Sequence, residues 1–349
     1  MAIYYFLYFL LTLFALYGRD TLQRKKFSIL LGLWWFVLVL FAGLRDEVGG
    51  DWGNYAHYFV VYFPYMSYTS ALFHGDPAFW LLGKCMYEIG WGLYGVDVVV
   101  AIIFMVGLYR LLLQQPNPWL GLAVAFPYLF VVVSMGYLRQ AAAIGLMMLG
   151  ISYLKERKFT QFLLSLFFAV TFHKTAVLMV GIGLFQEGRG KMIRFTSIIL
   201  VGIGLWSAFL AQEQATLIQN YIEAQMQSSG ALIRVLMNAI PALLLFMFRR
   251  RWKRLFNDYA FWSVIALGSL LALVGVGFAS TAVDRMALYM LPLQVVLFSR
   301  LPLLLKPWIP TLLTKWVILF YYGLVLVVWL NFATHAHGWV YHTLLLKGF

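Results

Sequence analysis

Four short polar clusters interrupt an otherwise apolar chain, and each carries side chains with a definite chemical use. The first is GLRDEVGGDWGNY, residues 43–55, where Arg45, Asp46, Glu47 and Asp51 crowd charge around Gly49 and Gly50. Glycines let the backbone turn tightly, and the aromatic flank of Trp52, Tyr55 and Tyr58 offers the stacking surface that sugars favour. A loop that only joined two helices, with Arg45 snorkelling to headgroups, would need little of this. The second cluster, SMGYLRQAAAIG, opens a helix with Arg139 and Gln140. The helix dipole disfavours a cation there, so Arg139 makes chemical sense facing an anion such as phosphate, which its fork and the helix amides both suit. The third, TFHKTA, sets His173 beside Lys174. Imidazole is the side chain best suited to moving a proton near neutral pH, although a histidine near a helix end is often structural. The fourth, STAVDRMALYM, contains Asp284, Arg285 and Tyr289. Arg285 and Tyr289, four apart, share a helical face, while the adjacent Asp-Arg pair can simply neutralise itself. Near the C-terminus, HAHGWVYH has an H-x-H spacing but no acidic or cysteine partner close by, so a polar tail is expected and no metal site.

Hydrophobic spans must hold these clusters. A chain of 349 residues with 63% hydrophobic and 11% charged residues, and a mean hydropathy of +0.83, lacks the polar surface of a soluble domain. The expected fold class is an all-α polytopic integral membrane protein. Apolar stretches fall at 1–17, 27–44, 93–113, 119–135, 138–154, 159–172, 174–187, 195–211, 231–248, 259–279, 286–299 and 316–333. They predict about 11–13 transmembrane helices in a single domain over 1–349, both termini on one side. Outer loops are expected at 45–76 and 212–230, the second as a polar helical cap. Segment 77–92 carries Lys84 and Glu88 four apart, which predicts a helix lying at the interface. The two legs between 159 and 187 barely span a bilayer, so His173 and Lys174 at their apex should sit recessed in an outward-facing cavity. The first segment lacks a basic lead-in and is expected to be retained rather than cleaved. Cys85 is alone and reads as a small packed side chain.

Charge fixes the expected orientation. Of the 26 Lys and Arg, 19 fall on one side of these spans and only seven on the other: Arg45, Lys84, Arg139, Lys174, Arg234, Arg285 and Lys347. By the positive-inside rule the first side is cytosolic. The net charge of +13 is then accounted for by anchoring against anionic lipid, and nucleic acid is not an expected partner. Every candidate chemical residue falls on the outer side. No P-loop, Rossmann glycine pattern, nucleophile elbow or paired-carboxylate signature is present.

Taken in order, GLR-x-x-x-GGDW-x-x-Y, YLRQ-x-x-A, FHKTA and DR-x-x-x-Y resemble the EpsG family across essentially the whole chain. Its members are Wzy-like polymerases of bacterial exopolysaccharide and capsule. The resemblance implies a GT-C-like architecture related to the O-antigen ligases, in the bacterial plasma membrane. It also implies a substrate, oligosaccharide repeat units on undecaprenyl pyrophosphate, joined to a growing polysaccharide on the outer face with lipid pyrophosphate as leaving group. In that setting Arg45, Arg139 and Arg285 are the expected cations for the pyrophosphate, and His173, then Asp51, the expected base for the acceptor hydroxyl. Tyr55, Gln140, Lys174, Asp284 and Tyr289 are expected to line the substrate. No metal or other cofactor is expected. Membrane lipids, a chain-length regulator and a flippase of the same pathway are the expected partners. A transporter or flippase of lipid-linked sugar is the competing reading, since charges within membranes also mark substrate pathways; the clustering of polar residues at one face weighs against it.

Overall fold

The computed structural model describes residues 1–17, 24–185, 191–209 and 230–346. The expected cap over 212–229 and the basic residues Arg19 and Arg189 lie outside the described residues.

Every regular element described is helical. In chain order these begin with α1 (Ala2–Tyr17), α2 (Arg24–Gly43), α3 (Trp52–Val61), α4 (Tyr68–Leu72), α5 (Pro77–Ile89), α6 (Gly92–Leu112) and α7 (Pro118–Ala125). After α7 the chain widens into a π-helix, Phe126–Ser134, and then enters α8 (Leu138–Lys155) and α9 (Phe159–Phe172). A 3₁₀ segment, Lys174–Phe185, leads to α10 (Lys191–Phe209). The remainder is α11 (Ala231–Met247), α12 (Arg249–Leu255), α13 (Tyr259–Gly275), α14 (Ser280–Ala287), α15 (Pro292–Leu305) and α16 (Thr311–Phe332). Local signals set several of these starts. Proline stands in the first turn of α5, α7 and α15, where its missing N–H is no loss, and the Asn117 side chain accepts from Leu120 N to cap α7.

Two helices, α6 and α16, are each long and apolar enough to cross a bilayer, and the bent pairs α11–α12 (77°) and α14–α15 (46°) bring this to four. Six shorter apolar helices accompany them. This is the composition of a membrane protein. Length alone singles out fewer spans than the expected dozen, because prolines and short breaks divide several apolar stretches. The stretch expected at 286–299 is such a case: α14 ends at Ala287, a 3₁₀ turn follows, and α15 starts at Pro292. The loop 45–76 is not open either, for it holds α3 and α4. Helix α5 makes the expected Lys84–Glu88 ion pair at 3.1 Å, but it packs against α6 and α9 with Phe79, Trp80 and Lys84 buried.

The centre of the molecule is the pair α6 and α8. A Cβ at Gly107 would lie 1.9 Å from Gly145 O, and one at Gly145 would lie 2.5 Å from Phe104 Cα. These helices touch backbone to backbone, an approach that only small residues permit. On one flank, Arg45 and Asp97 form a buried ion pair at 2.8 Å. On the other, a buried chain runs from Tyr322 OH to Gln294 Oε1 (2.6 Å) and from Gln294 Nε2 to Asn238 Oδ1 (2.7 Å), while Asn238 Nδ2 donates to Ala287 O (2.8 Å). That chain ties α16, α15 and α11 to the end of α14 and pairs the buried amides of Gln294 and Asn238 within the apolar interior.

Candidate functional site

The π-helix ends at Ser134, Met135 and Gly136 stay helical, and the helix is interrupted at Tyr137 (φ −128°, ψ 71°) before α8 starts at Leu138. Arg139 and Gln140 therefore project from the first turn of α8. The loop after α2 is packed onto the same break. Gly49 donates from its N to Gly338 O (2.8 Å), has φ +120°, and leaves so little room that a Cβ would lie 2.4 Å from Met135 O. Glycine is required here for both reasons. The Trp339 ring, donating from Nε1 to Val131 O (2.9 Å), lies against Gly50 and Gly136 and closes the floor.

Asp76 is the residue around which the site is organised. It precedes Pro77 at the start of α5, where an aspartate ordinarily caps the helix, yet its side chain makes no capping hydrogen bond. It is turned instead toward three other elements. Arg139 Nη1 donates to Asp76 Oδ2 at 2.9 Å, the Lys174 backbone N donates to Oδ1 at 3.1 Å, and His173 Nδ1 faces Oδ2 at 3.5 Å. Asp76 is 2% exposed and His173 17%. His173 is extended (φ −156°, ψ 109°) between the end of α9 and the 3₁₀ segment, which turns the imidazole back toward α5. Burial alone would raise the Asp76 carboxyl; the His173 contact, the Arg139 charge and the Lys174 amide outweigh it and hold the group below the ordinary carboxylate value of 3.8. Asp76 is thus biased toward its ionised form.

Asp51 behaves in the opposite way. Burial raises its carboxyl above 3.8, and the neighbouring charges of Arg285, Arg139 and His335 only partly offset this. Two carboxyls share one set of cations, one held ionised and one biased toward taking a proton, which is the usual division between an orienting acid and a proton-transfer acid.

Further contacts bind the walls. Gln140 Nε2 donates to Arg285 O (2.6 Å), fixing α8 to α14, and Thr175 and Tyr289 hydroxyls meet at 3.2 Å, fixing the 3₁₀ segment to the turn after α14. The Arg285 guanidinium lies 5.0 Å from the centre of the Tyr137 ring and, among the described residues, makes no ion pair. Arg139 is 35% exposed beside its bond to Asp76, lies 5.7 Å from the Phe79 ring, and has the buried Tyr55 within its electrostatic reach. A proton acceptor beside an oriented carboxylate, with two guanidiniums near it, can deprotonate a hydroxyl while stabilising a departing anion.

Of the ten residues singled out from sequence, Asp51, Tyr55, Arg139, Gln140, His173, Lys174 and Arg285 come together here. Lys174 contributes its backbone N–H. Asp284 is held by Arg234 through two hydrogen bonds of 2.7 Å, and Tyr289 is fully buried on Thr175, so these two shape a wall. Arg45 does not join the group. It is 1% exposed, its Nε donates to Val48 O (3.0 Å), a second nitrogen donates to Ala42 O, and a third pairs with Asp97. Its guanidinium holds the 43–55 loop from beneath. Asp76 is the residue at the centre of this cluster that sequence reasoning passed over. Its one signal, HGDPAFW, is an acid before a proline, which is the mark of an ordinary helix start.

The family model described as the EpsG family matches residues 28–344. No curated protein and no solved structure matches the chain significantly.

Proposed function

The chain belongs to the EpsG family, whose role is polysaccharide-polymerase-like, and on that premise we propose that it joins oligosaccharide repeat units carried on undecaprenyl pyrophosphate, at the outer face of the bacterial plasma membrane. The observation that carries this reading is the convergence of His173, Asp76 and Arg139 from three separate elements, with Arg285 alongside.

An acceptor sugar hydroxyl is a weak nucleophile. His173 takes its proton, with Asp76 facing Nδ1 and orienting the ring so that Nε2 meets the hydroxyl. The acceptor oxygen bonds to the anomeric carbon as the bond from that carbon to the pyrophosphate oxygen breaks, and the electron pair leaves on the pyrophosphate. Arg285, which makes no ion pair among the described residues, and the exposed edge of Arg139 stabilise that charge. Asp51 is placed among the same cations to take or return a proton. The aromatic side chains of α3 give the sugar a face to stack on. Entry of a lipid tail is compatible with a site opening between short helices.

The experiment is polymerisation by the purified protein in lipid nanodiscs supplied with a lipid-pyrophosphate-linked repeat. A ladder of longer glycans from wild type, lost with Arg139→Ala at equal expression, is expected. Movement of the substrate across the bilayer without any ladder would replace this reading with a transporter.

A further inference from the structure

At the opposite end of α8 from Arg139 lies a second polar cavity, of about 330 Å³, which the reaction above does not use. Over the length of α8, about 25 Å at about 1.5 Å rise per residue, separates the two. Gln114, Lys155, Arg157, Asn257, Asp258 and Arg300 supply its polar wall. Arg300 is 1% exposed, sits 4.7 Å from the Trp252 ring and 4.3 Å from that of Phe256, and pairs with both oxygens of Asp258 at 2.7 and 2.8 Å. Trp252 and Trp262 also donate to Asp258, at 3.1 and 3.3 Å. That carboxylate is therefore saturated, yet Lys155 Nζ approaches it as well, at 3.8 Å.

Arg157 adds a third cation. It occupies the left-handed region at φ 61°, an uncommon conformation for a bulky residue and one often found where function demands it. The nearest acid in sequence, Glu156, has one oxygen on Arg110 (2.9 Å) and the other on Lys158 (2.7 Å). Three cations thus face a single carboxylate among the described residues lining this cavity. The start of α13, just after Asp258, contributes to the same wall through Ala260, Phe261 and Trp262. Excess positive charge and a helix start in one concavity match a multiply charged oxyanion, and a guanidinium with an ammonium suits phosphate better than a single carboxylate. The apolar remainder, Leu111, Ile151 and Phe261, can receive whatever the phosphate carries.

We propose that this cavity is a second anion site that takes a phosphate group, borne either by a lipid headgroup or by a soluble ligand. It lies at the end of the molecule that carries the basic helix α12.

The test uses the full chain purified in neutral detergent, with inorganic pyrophosphate as probe, read by titration calorimetry and by thermal shift. A parallel arm reconstitutes the protein in nanodiscs with and without anionic phospholipid and reads retained lipid by native mass spectrometry. Arg157→Gln is expected to weaken binding at least tenfold, and Lys155→Gln with Arg157→Gln to remove it. Arg254→Gln, a basic residue that does not line the cavity, is expected to leave it unchanged, and Arg285→Ala separates any binding at the catalytic end. Pyrophosphate binding in detergent assigns the soluble source; retention of anionic phospholipid alone assigns the headgroup. Binding that survives the double substitution, falls equally with Arg254→Gln, or is absent from both arms overturns the proposal.

Discussion

At the residue scale the site divides labour between two carboxyls, and the division sets separate expectations. His173→Ala removes the proton acceptor and is expected to slow glycan formation about 10²–10⁴-fold at unchanged expression, measured as initial rate of ladder growth. Arg285→Ala removes the uncommitted cation, and the loss is expected in both kcat and kcat/KM, because a charge on the leaving group grows toward the transition state. Loss confined to KM would assign Arg285 to substrate capture alone. Legibility at this scale was uneven for a physical reason. Arg139 and His173 stand out because a charge beside an apolar helix has few ordinary uses. Asp76 does not, because an acid before a proline is what a helix start ordinarily contains, and only the fold shows its carboxylate turned away from the amides. Arg45 misleads in the reverse direction: its carboxylate partner Asp97 lies within α6, 52 positions along, out of reach of any local pattern. Asp97→Ala is expected to leave Arg45 buried without its counter-charge and to cost about 3–5 kcal/mol, read as a fall in melting temperature in detergent.

At the element scale the site depends on close approaches that glycine makes available. Gly49→Ala forces a Cβ onto Met135 O and a side chain into positive φ, and is expected to cost about 1–3 kcal/mol and to displace the loop that carries Asp51. Thermal unfolding measures the first effect and ladder assays the second. The same reasoning applies to Gly107 and Gly145, where larger side chains would push α6 from α8 and move Arg139 away from Asp76. The apolar stretches were readable as helices from hydrophobic run length alone. Their breaks were not, because the π-helix at Phe126–Ser134 and the 3₁₀ segment at Lys174–Phe185 have the same apolar composition as α-helix and differ only in which carbonyl each N–H reaches. Those two irregular elements deliver Arg139 and carry Lys174 and Thr175, so the least legible geometry lies nearest the chemistry.

At the scale of the whole molecule, charge is arranged by end. Arg139, His173, Asp51 and Arg285 gather at one end of α8, while Lys155, Arg157 and Arg300 gather at the other. Cations thus stand at both ends of α8, with the proton-transfer candidates at one end only. The arrangement also yields a pH dependence with a defined sign. Asp76 has its carboxyl lowered in the folded state, so it contributes stability above 3.8 that is lost as pH falls through its folded value. Asp51 is raised, so its contribution has the opposite sign: stability is gained as pH falls through its folded value, and the loss below 3.8 belongs to Asp76. Melting temperature should therefore not fall until about pH 4 and should fall below it, and Asp76→Asn should flatten that fall while Asp51→Asn leaves it in place.

The central claim is that an imidazole oriented by Asp76 deprotonates the acceptor. Chemical rescue tests it most directly: initial rates of glycan transfer by His173→Ala are measured with and without added free imidazole, beside Asp76→Asn. The account predicts a His173→Ala rate that rises with imidazole and follows the fraction of imidazole that is unprotonated, with no such rise in Asp76→Asn. Glycan transfer by His173→Ala at the wild-type rate without imidazole would contradict it.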